Sequence, residues 1–258
     1  MKRLVALLIA LLLMVAAAVS AHETSSIEVE FLGEVLLPQD LEVGGFTVGG
    51  ISGLAYDAEA DLYYGIADDL SNARYYTLRV NLSDGTLDEG DVTFEDVVLI
   101  DDIDGRPFPN GSLDPEGIVL AADGTLYIAA EPVGDRFPAF IRNFTLDGDY
   151  VSSLYIDPMR YDPRFDEARG ARGSGGFESL TPNEDVSTLY AAFEVALIQD
   201  GDAPTYDNGS TARILEYDLA AGDAPVAEYV YPIGPRTLVS EPADAGGGIG
   251  LNDLLYIG

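Results

Sequence analysis

The chain has 258 residues and no cysteine, with 13 lysines and arginines against 45 aspartates and glutamates. A formal net charge of −32 disfavours binding to nucleic acid or to an anionic membrane surface. The missing thiols exclude disulfides, thiolate metal ligands and cysteine nucleophiles. Two interpretations of the acidity stay open: a solvated surface suited to saline surroundings, or carboxylates that bind divalent cations such as Ca²⁺.

The first 21 residues have the three parts of a secretory signal peptide. A short basic start precedes an apolar run from Leu4 to Val19, and the small residues that follow end at Ala21. An uncleaved membrane anchor is the alternative, although the run is at the short end for a span. We therefore expect cleavage near Ala21, a mature domain over residues 22–258, and a secreted or periplasmic protein without other membrane association.

The predicted elements after the leader are strands, and no helix pattern is present. A first strand over residues 27–37 is expected to pair with a last blade. Three similar units follow, each with an apolar strand, an acidic turn, an aromatic-bearing strand and a closing carboxylate. They span residues 49–69, 113–131 and 176–194. Each continues into a second strand pair, with Asp84-Gly85 and Asp147-Gly148 as predicted hairpin turns.

The units repeat about every 60 residues, so the same leading and closing positions recur in each. The leading positions are Ser52, Glu116, Glu178 and Asp253, and the closing positions are Asp68, Glu131 and Glu194. Four strands per unit at regular spacing predict an all-β fold, a β-propeller with blades of about four antiparallel strands. Two sheets packed as a sandwich are the alternative. In a propeller the repeated acids would form a ring around one mouth of the axial channel.

Several motifs, in order from residue 49 onward, resemble the phytase-like domain family, which is usually labelled "esterase-like activity of phytase". They include GGISGLAYD, DPEGI with GTLYIAAE, RGARGSGGFESL and LYAAFEVALIQDG. The resemblance implies an exported β-propeller with phosphate-ester chemistry. Its signature positions fall on Ser52, Asp68, Asp69, Arg74, Glu116, Glu131, Arg172, Glu178, Glu194 and Arg213. Ser174 stands near the asparagine of the family's GxRxNxGFE motif, and the family's final segment is missing, so an incomplete ring is expected.

The residue inventory narrows the chemistry further. The only histidine is His22 and no G-x-S-x-G elbow is present, which disfavours an activated serine. Metal-activated water is the remaining nucleophile, and we expect a small-molecule phosphate ester or another ester as substrate. We assign Glu116, Glu178 and Arg172 to catalysis, Arg74, Arg142 and Arg213 to substrate binding, and Asp68, Asp69, Glu131 and Glu194 to Ca²⁺.

Three alternatives to these assignments stay open. Each of Arg74, Arg142 and Arg213 follows a closing acid, so the arginines are equally explained as structural ties between strands. The carboxylate ring would also serve a lactonase-like metal-dependent hydrolase whose substrate carries no phosphate. A propeller at the cell surface or in the periplasm that binds a ligand or partner without catalysis is the third alternative, because a fold does not determine a function.

Overall fold

The structure is a computed structural model, and it describes residues 27–134, 136–173, 175–242 and 248–258. The predicted signal peptide over residues 1–21 and the loop residue Ser174 lie outside the described residues. The chain divides into two units, residues 1–33 and residues 34–258. No helix in the described ranges is both long and apolar enough to cross a membrane.

Strands dominate the part of the chain that the structure describes. A hairpin pairs β1 (Glu42–Val43) with β2 (Phe46–Thr47). The first four-stranded sheet contains β3 (Ile51–Asp57), β4 (Leu62–Ala67), β5 (Arg74–Val80) and β6 (Val92–Leu99). The second contains β7 (Pro115–Leu120), β8 (Leu126–Ala130), β9 (Phe140–Phe144) and β10 (Tyr150–Ser153), and the third contains β11 (Phe177–Pro182), β12 (Thr188–Phe193), β13 (Ser210–Asp218) and β14 (Ala227–Ile233).

Each four-stranded sheet is an antiparallel meander in which neighbours in sequence are neighbours in space. This is the strand order of a propeller blade, so the predicted fold class, an all-β β-propeller, is confirmed. The predicted hairpins are confirmed as well, since Asp84-Gly85 lies between β5 and β6 and Asp147-Gly148 lies between β9 and β10.

Neighbouring blades contact each other along their innermost strands, β3, β7 and β11. A Cβ atom on Gly53 would lie 2.7 Å from the carbonyl oxygen of Glu116, and one on Gly117 would lie 2.7 Å from the backbone nitrogen of Leu180. Glycine therefore lets the inner strands approach closely at these two positions. Outside this contact the blades bury apolar faces against each other, with one cluster between the first and second blades and another between the second and third.

Three details differ from the prediction. The strand expected over residues 27–37 is not formed in the described residues, where side chains such as Val29 and Phe31 are exposed. The fourth unit, expected to start a strand at Asp253, forms no strand over residues 248–258, although this segment contacts the third blade. One four-residue helix, α1 (Pro158–Tyr161), begins with the Asp157 side chain accepting from the Met159 N–H.

Candidate functional site

The leading and closing acids meet because each blade begins with a hairpin. Antiparallel pairing sets the start of the inner strand against the end of the second strand, as in Pro115 opposite Ala130 and Phe177 opposite Phe193. The leading residue of the inner strand and the acid just after the end of the second strand are therefore close in each blade, and the leading residue is Ser52 in the first blade and a glutamate in the other two. Because the inner strands of the blades also touch, acids from different blades reach one another.

The structure brings five carboxylates together at this end of the inner strands. Oxygens of Asp68, Asp114 and Glu116 lie within 4.8 Å of one another, and so do oxygens of Glu116, Glu131 and Glu178. Glu116 belongs to both groups and joins them. We call these five residues the carboxylate cluster. It combines one side chain from the first blade, three from the second or its entry, and one from the third.

Burial and mutual repulsion disfavour ionisation of the cluster. Burial is the largest cause that raises the pKa of Glu116 to about 8 and that of Glu131 to about 9, and the charge of Glu178 adds to both. The pKa of Asp114 rises to about 6 through burial and through its hydrogen bond with Asp68. Burial, followed by the charge of Glu194, raises the pKa of Glu178. These shifts indicate a site with more negative charge than its partners neutralise.

Neutral groups provide the few other partners of the cluster. The backbone N–H of Gly176 donates to Oε1 of Glu131 at 2.6 Å, and Glu131 is only 5% exposed. The Ser52 hydroxyl is a hydrogen-bond partner of Glu116, and the Asn252 amide donates to Oε1 of Glu178 at 3.4 Å. Each of these bonds favours the charged form of its carboxylate, but burial outweighs them at Glu116, Glu131 and Glu178.

Arginines pair with acids outside the cluster. Among the described residues no ion pair includes a cluster carboxylate. Arg74, which is buried, pairs with Asp69 and lies over the rings of Phe46 and Tyr76. Its place is at the start of β5, where it ties the first blade to the β1–β2 hairpin through the carbonyl of Thr47.

Arg142 and Arg213 lie on the third strands of the second and third blades, as Arg74 does in the first. Arg142 Nη1 donates to Oδ1 of Asp102 at 2.8 Å, and the guanidinium carbon lies 4.0 Å from the centroid of the Phe140 ring. Arg213 donates to both carboxylate oxygens of Asp200 at 2.5 Å and to Glu228 at 2.7 Å. All three arginines predicted to bind substrate thus have carboxylate partners of their own.

The remaining predicted site residues are divided between the cluster and its surroundings. Asp68, Glu116, Glu131 and Glu178 are members. Glu194 lies near Glu178, and its pKa is raised by burial, but it is outside both groups of close oxygens. Arg172 donates to the backbone carbonyls of Ala196, Ile198 and Gly201 and is not part of the cluster.

Asp114 is the cluster member that the comparison of the repeated units within the chain did not predict. The matching positions in the other units are Gly50 and Gly176, so the repeat gave no reason to select it. The available signal was its spacing, because Asp114 precedes Glu116 by two residues and alternate residues of an extended strand share a face.

A cavity of about 500 Å³ continues from the cluster between the inner strands. Its walls come from β3, β7, β11 and residues 253–255, and they include Ser52, Glu116 and Asp253. We call it the axial cavity.

The donor set of the cluster fits a hard divalent cation. Ca²⁺ takes six to eight oxygen ligands and prefers carboxylates, carbonyls and hydroxyls. Five carboxylates and the Ser52 hydroxyl offer only oxygen. A softer metal would select the imidazole or thiolate ligands that this chain lacks here.

Among solved structures, the chain is similar to the periplasmic gluconolactonase PpgL of Pseudomonas aeruginosa, with 10% identity, a TM-score of 0.38, and coverage of 80% of this chain and 62% of that one. It is also similar to the hydrazine synthase of Kuenenia stuttgartiensis, with 15% identity, a TM-score of 0.36, and coverage of 69% and 36%. The sequence identities and TM-scores of both structures are too low to support an argument about function.

An uncharacterized secreted protein of Arthroderma benhamiae is 29% identical over 150 residues, which are 50% of this chain and 28% of that relative. The chain therefore spans little more than a quarter of the length of this curated relative. The model of the phytase-like family, described as "Esterase-like activity of phytase", matches residues 47–258. This match confirms the resemblance seen in the motifs, and the chain belongs to the phytase-like family.

Proposed function

We propose that the protein is an exported, cation-dependent ester hydrolase whose metal site is the carboxylate cluster. The observation that carries this proposal is the set of five converging carboxylates, which have no ion-pair partner in the described ranges although arginines pair with acids elsewhere in the same blades. Buried charges without a partner are costly, and a divalent cation is the partner that this donor set suits best.

In this proposal Asp68, Asp114 and Glu131 hold Ca²⁺, and Glu116 and Glu178 lie beside the cation without serving as its ligands. When bound, the cation would supply Lewis acidity toward a substrate oxygen. The family label, which names esterase-like activity, supports hydrolysis as the reaction class. It does not by itself distinguish a phosphate ester from a carboxylic ester.

Glu116 and Glu178 are the proposed proton-handling residues. Both carboxyl groups have a raised pKa, mainly through burial, and a carboxyl group that titrates nearer neutral pH is suited to take up and release a proton. Glu116 also lines the axial cavity, and this position supports its proposed role. Arg172 is left out of the proposed machinery because its guanidinium donates to three backbone carbonyls, which gives it the role of holding the loop after β12.

Cation binding tests this proposal directly. We expect the purified chain to bind Ca²⁺ in calorimetric titration and to hydrolyse 4-nitrophenyl esters in a chelator-sensitive manner. Glu131→Gln should weaken Ca²⁺ binding by at least tenfold, because it removes a charged ligand with almost no exposure to water. The matched control is Glu89→Gln, at an exposed position in the turn between β5 and β6.

Two results would reject the proposal. Equal Ca²⁺ affinity in both glutamine variants would show that the cluster is not the cation site. A folded chain that binds Ca²⁺ but hydrolyses no ester in any ionic condition would indicate a binding propeller instead.

Export is the second part of the proposal. The predicted signal peptide and the description of the fungal relative as secreted support it. In the secreted or periplasmic fraction of producing cells, mass spectrometry should find an N-terminus near His22. Intact Met1 on protein recovered from the cytosol would contradict export.

A further inference from the structure

We propose that a second cavity binds a small organic carboxylate with an apolar ring, and that Arg142 holds the carboxylate group of this ligand. The cavity has a volume of about 420 Å³, and its walls come mainly from the loop before β9 and from the chain that follows β10. No described residue lines both this second cavity and the axial cavity. The inference is independent of the proposed hydrolase, because it needs neither a cation nor a reaction.

Arg142 has hydrogen-bonding capacity that the described fold does not use. A guanidinium has five N–H groups, which are distributed over Nε, Nη1 and Nη2. The third-strand arginines of the first and third blades, Arg74 and Arg213, each donate from all three nitrogens. Arg142 donates to the described residues from Nη1 alone, with Asp102 as the acceptor. Its Nε and Nη2 groups are therefore available to a ligand.

The available edge of Arg142 is the edge that binds carboxylates elsewhere in this chain. The Nε–H and one Nη2–H of a guanidinium point in the same direction and match the two oxygens of a carboxylate. Arg164 donates to Asp162 from these two nitrogens, and Arg213 donates to Asp200 from the same two. At Arg142, which lines the second cavity with 17% of its side chain exposed, no described carboxylate occupies this edge.

Aromatic contacts hold the Arg142 guanidinium in place before a ligand binds. Its central carbon lies 4.0 Å from the centroid of the Phe140 ring and 5.8 Å from that of Phe108. The ion pair with Asp102 restrains it further. A group that is already ordered loses little conformational entropy on binding, which favours affinity for an anion.

The charges around the second cavity permit an anion to bind. Two arginines and two aspartates line it, so their formal charges cancel, whereas the charged side chains that line the axial cavity, Glu116 and Asp253, are both acidic. Arg164 and Asp162 neutralise each other as an ion pair. Asp223 is exposed, so salt in the solvent screens its charge.

The walls of the second cavity suit an apolar ring. Phe140, Tyr155, Tyr161 and Phe165 line it together with four prolines. Aromatic rings pack well against the flat faces of other rings, and a volume of about 300–1,000 Å³ with mainly apolar walls is typical of small-molecule sites. The ligand class that combines these features is a monocarboxylate with one ring, for which 3-phenylpropionate is a suitable probe.

Calorimetric titration of the full chain with three probes tests this ligand class. The titrations contain chelator, so that a carboxylate cannot bind through a cation at the carboxylate cluster. The probes are 3-phenylpropionate, its uncharged amide, and acetate, which has the carboxylate without the ring. We expect 3-phenylpropionate to bind at least about tenfold more tightly than either of the others.

Three results would overturn the inference. Equal affinity for the acid and the amide would exclude recognition of the carboxylate. Equal affinity for 3-phenylpropionate and acetate would exclude a site for the ring. Absence of binding by 3-phenylpropionate at every soluble concentration would exclude the site as a whole. None of these results bears on the proposed hydrolase, whose cation is removed in these titrations.

Two substitutions separate ligand binding by Arg142 from its structural role. Arg142→Lys keeps the charge but loses the paired donors, so it should weaken 3-phenylpropionate binding by about tenfold. Asp102→Asn weakens the same ion pair but keeps the guanidinium, so the affinity should change less than about twofold, even if Tm falls in both variants. Equal losses of affinity in the two variants would mean that Arg142 only supports the cavity wall, and an unchanged affinity in Arg142→Lys would also overturn its assignment. The matched control is Arg79→Lys, which alters the ion pair with Glu95 at a position that does not line the second cavity.

Discussion

Gly176 shows how one residue without a side chain supports a charged site. Its N–H donates to Glu131 at 2.6 Å, and a Cβ atom on it would lie 2.4 Å from Cδ of Pro132 and 2.8 Å from Cα of Glu131. Because a backbone atom would have to move, we expect Gly176→Ala to lower the free energy of unfolding by about 1–3 kcal/mol. The displaced N–H should also weaken Ca²⁺ binding, which calorimetric titration measures alongside urea unfolding.

Gly234→Ala is the control for this prediction. A Cβ atom on Gly234 would have nothing within 4 Å, and the residue is not in the left-handed region, so the substitution should be nearly neutral. If both alanine variants behave alike, the contact between Gly176 and Glu131 is not what positions this carboxylate.

The repeat predicted the cluster members that occupy matching places in several blades, such as Glu116 and Glu178. It did not predict Asp114, which only the second unit has. It also did not predict that Arg142 pairs with Asp102 rather than with Glu131, because that pairing depends on the path of the long connection before β7. Residues that a repeated register places are visible in the sequence, whereas partners supplied by irregular loops require the coordinates.

At the level of elements, the same distinction explains which strands were predicted. Strands β3 to β14 come from hydrophobic runs separated by turn residues, a signal contained within each hairpin. The β1–β2 hairpin was missed because each of its strands has only two residues. Residues 248–258 have an apolar pattern, but a strand needs a hydrogen-bonded neighbour. Here the backbone N–H of Leu251 donates to the carbonyl oxygen of Glu194 at 2.8 Å, and Glu194 lies just after the end of β12 rather than within a strand.

Across the whole molecule, the separation of arginines from the carboxylate cluster gives stability a specific dependence on pH. The pKa of Glu116 in the folded chain is about 8 and that of Glu131 is about 9, against an ordinary value of 4.5. The folded state therefore binds more protons than the unfolded state between these limits. For groups whose pKa is raised on folding, the stabilisation is complete below about pH 4.5 and is lost as the pH rises through about 8 and 9.

With chelator present, we therefore expect Tm to fall as the pH is raised from 5 to 9. Saturating Ca²⁺ should reverse most of this loss, because the cation binds the ionised carboxylates and so stabilises the folded state at high pH. General repulsion from the net charge of −32 would also lower Tm at high pH, so a comparison is needed. The double variant Glu116→Gln, Glu131→Gln keeps that repulsion nearly unchanged but cannot titrate at these two positions. Its Tm in chelator should vary much less between pH 5 and 9 and respond weakly to Ca²⁺. A wild-type Tm that stays constant or rises over this range would mean that these carboxylates are already neutralised by a partner within the chain.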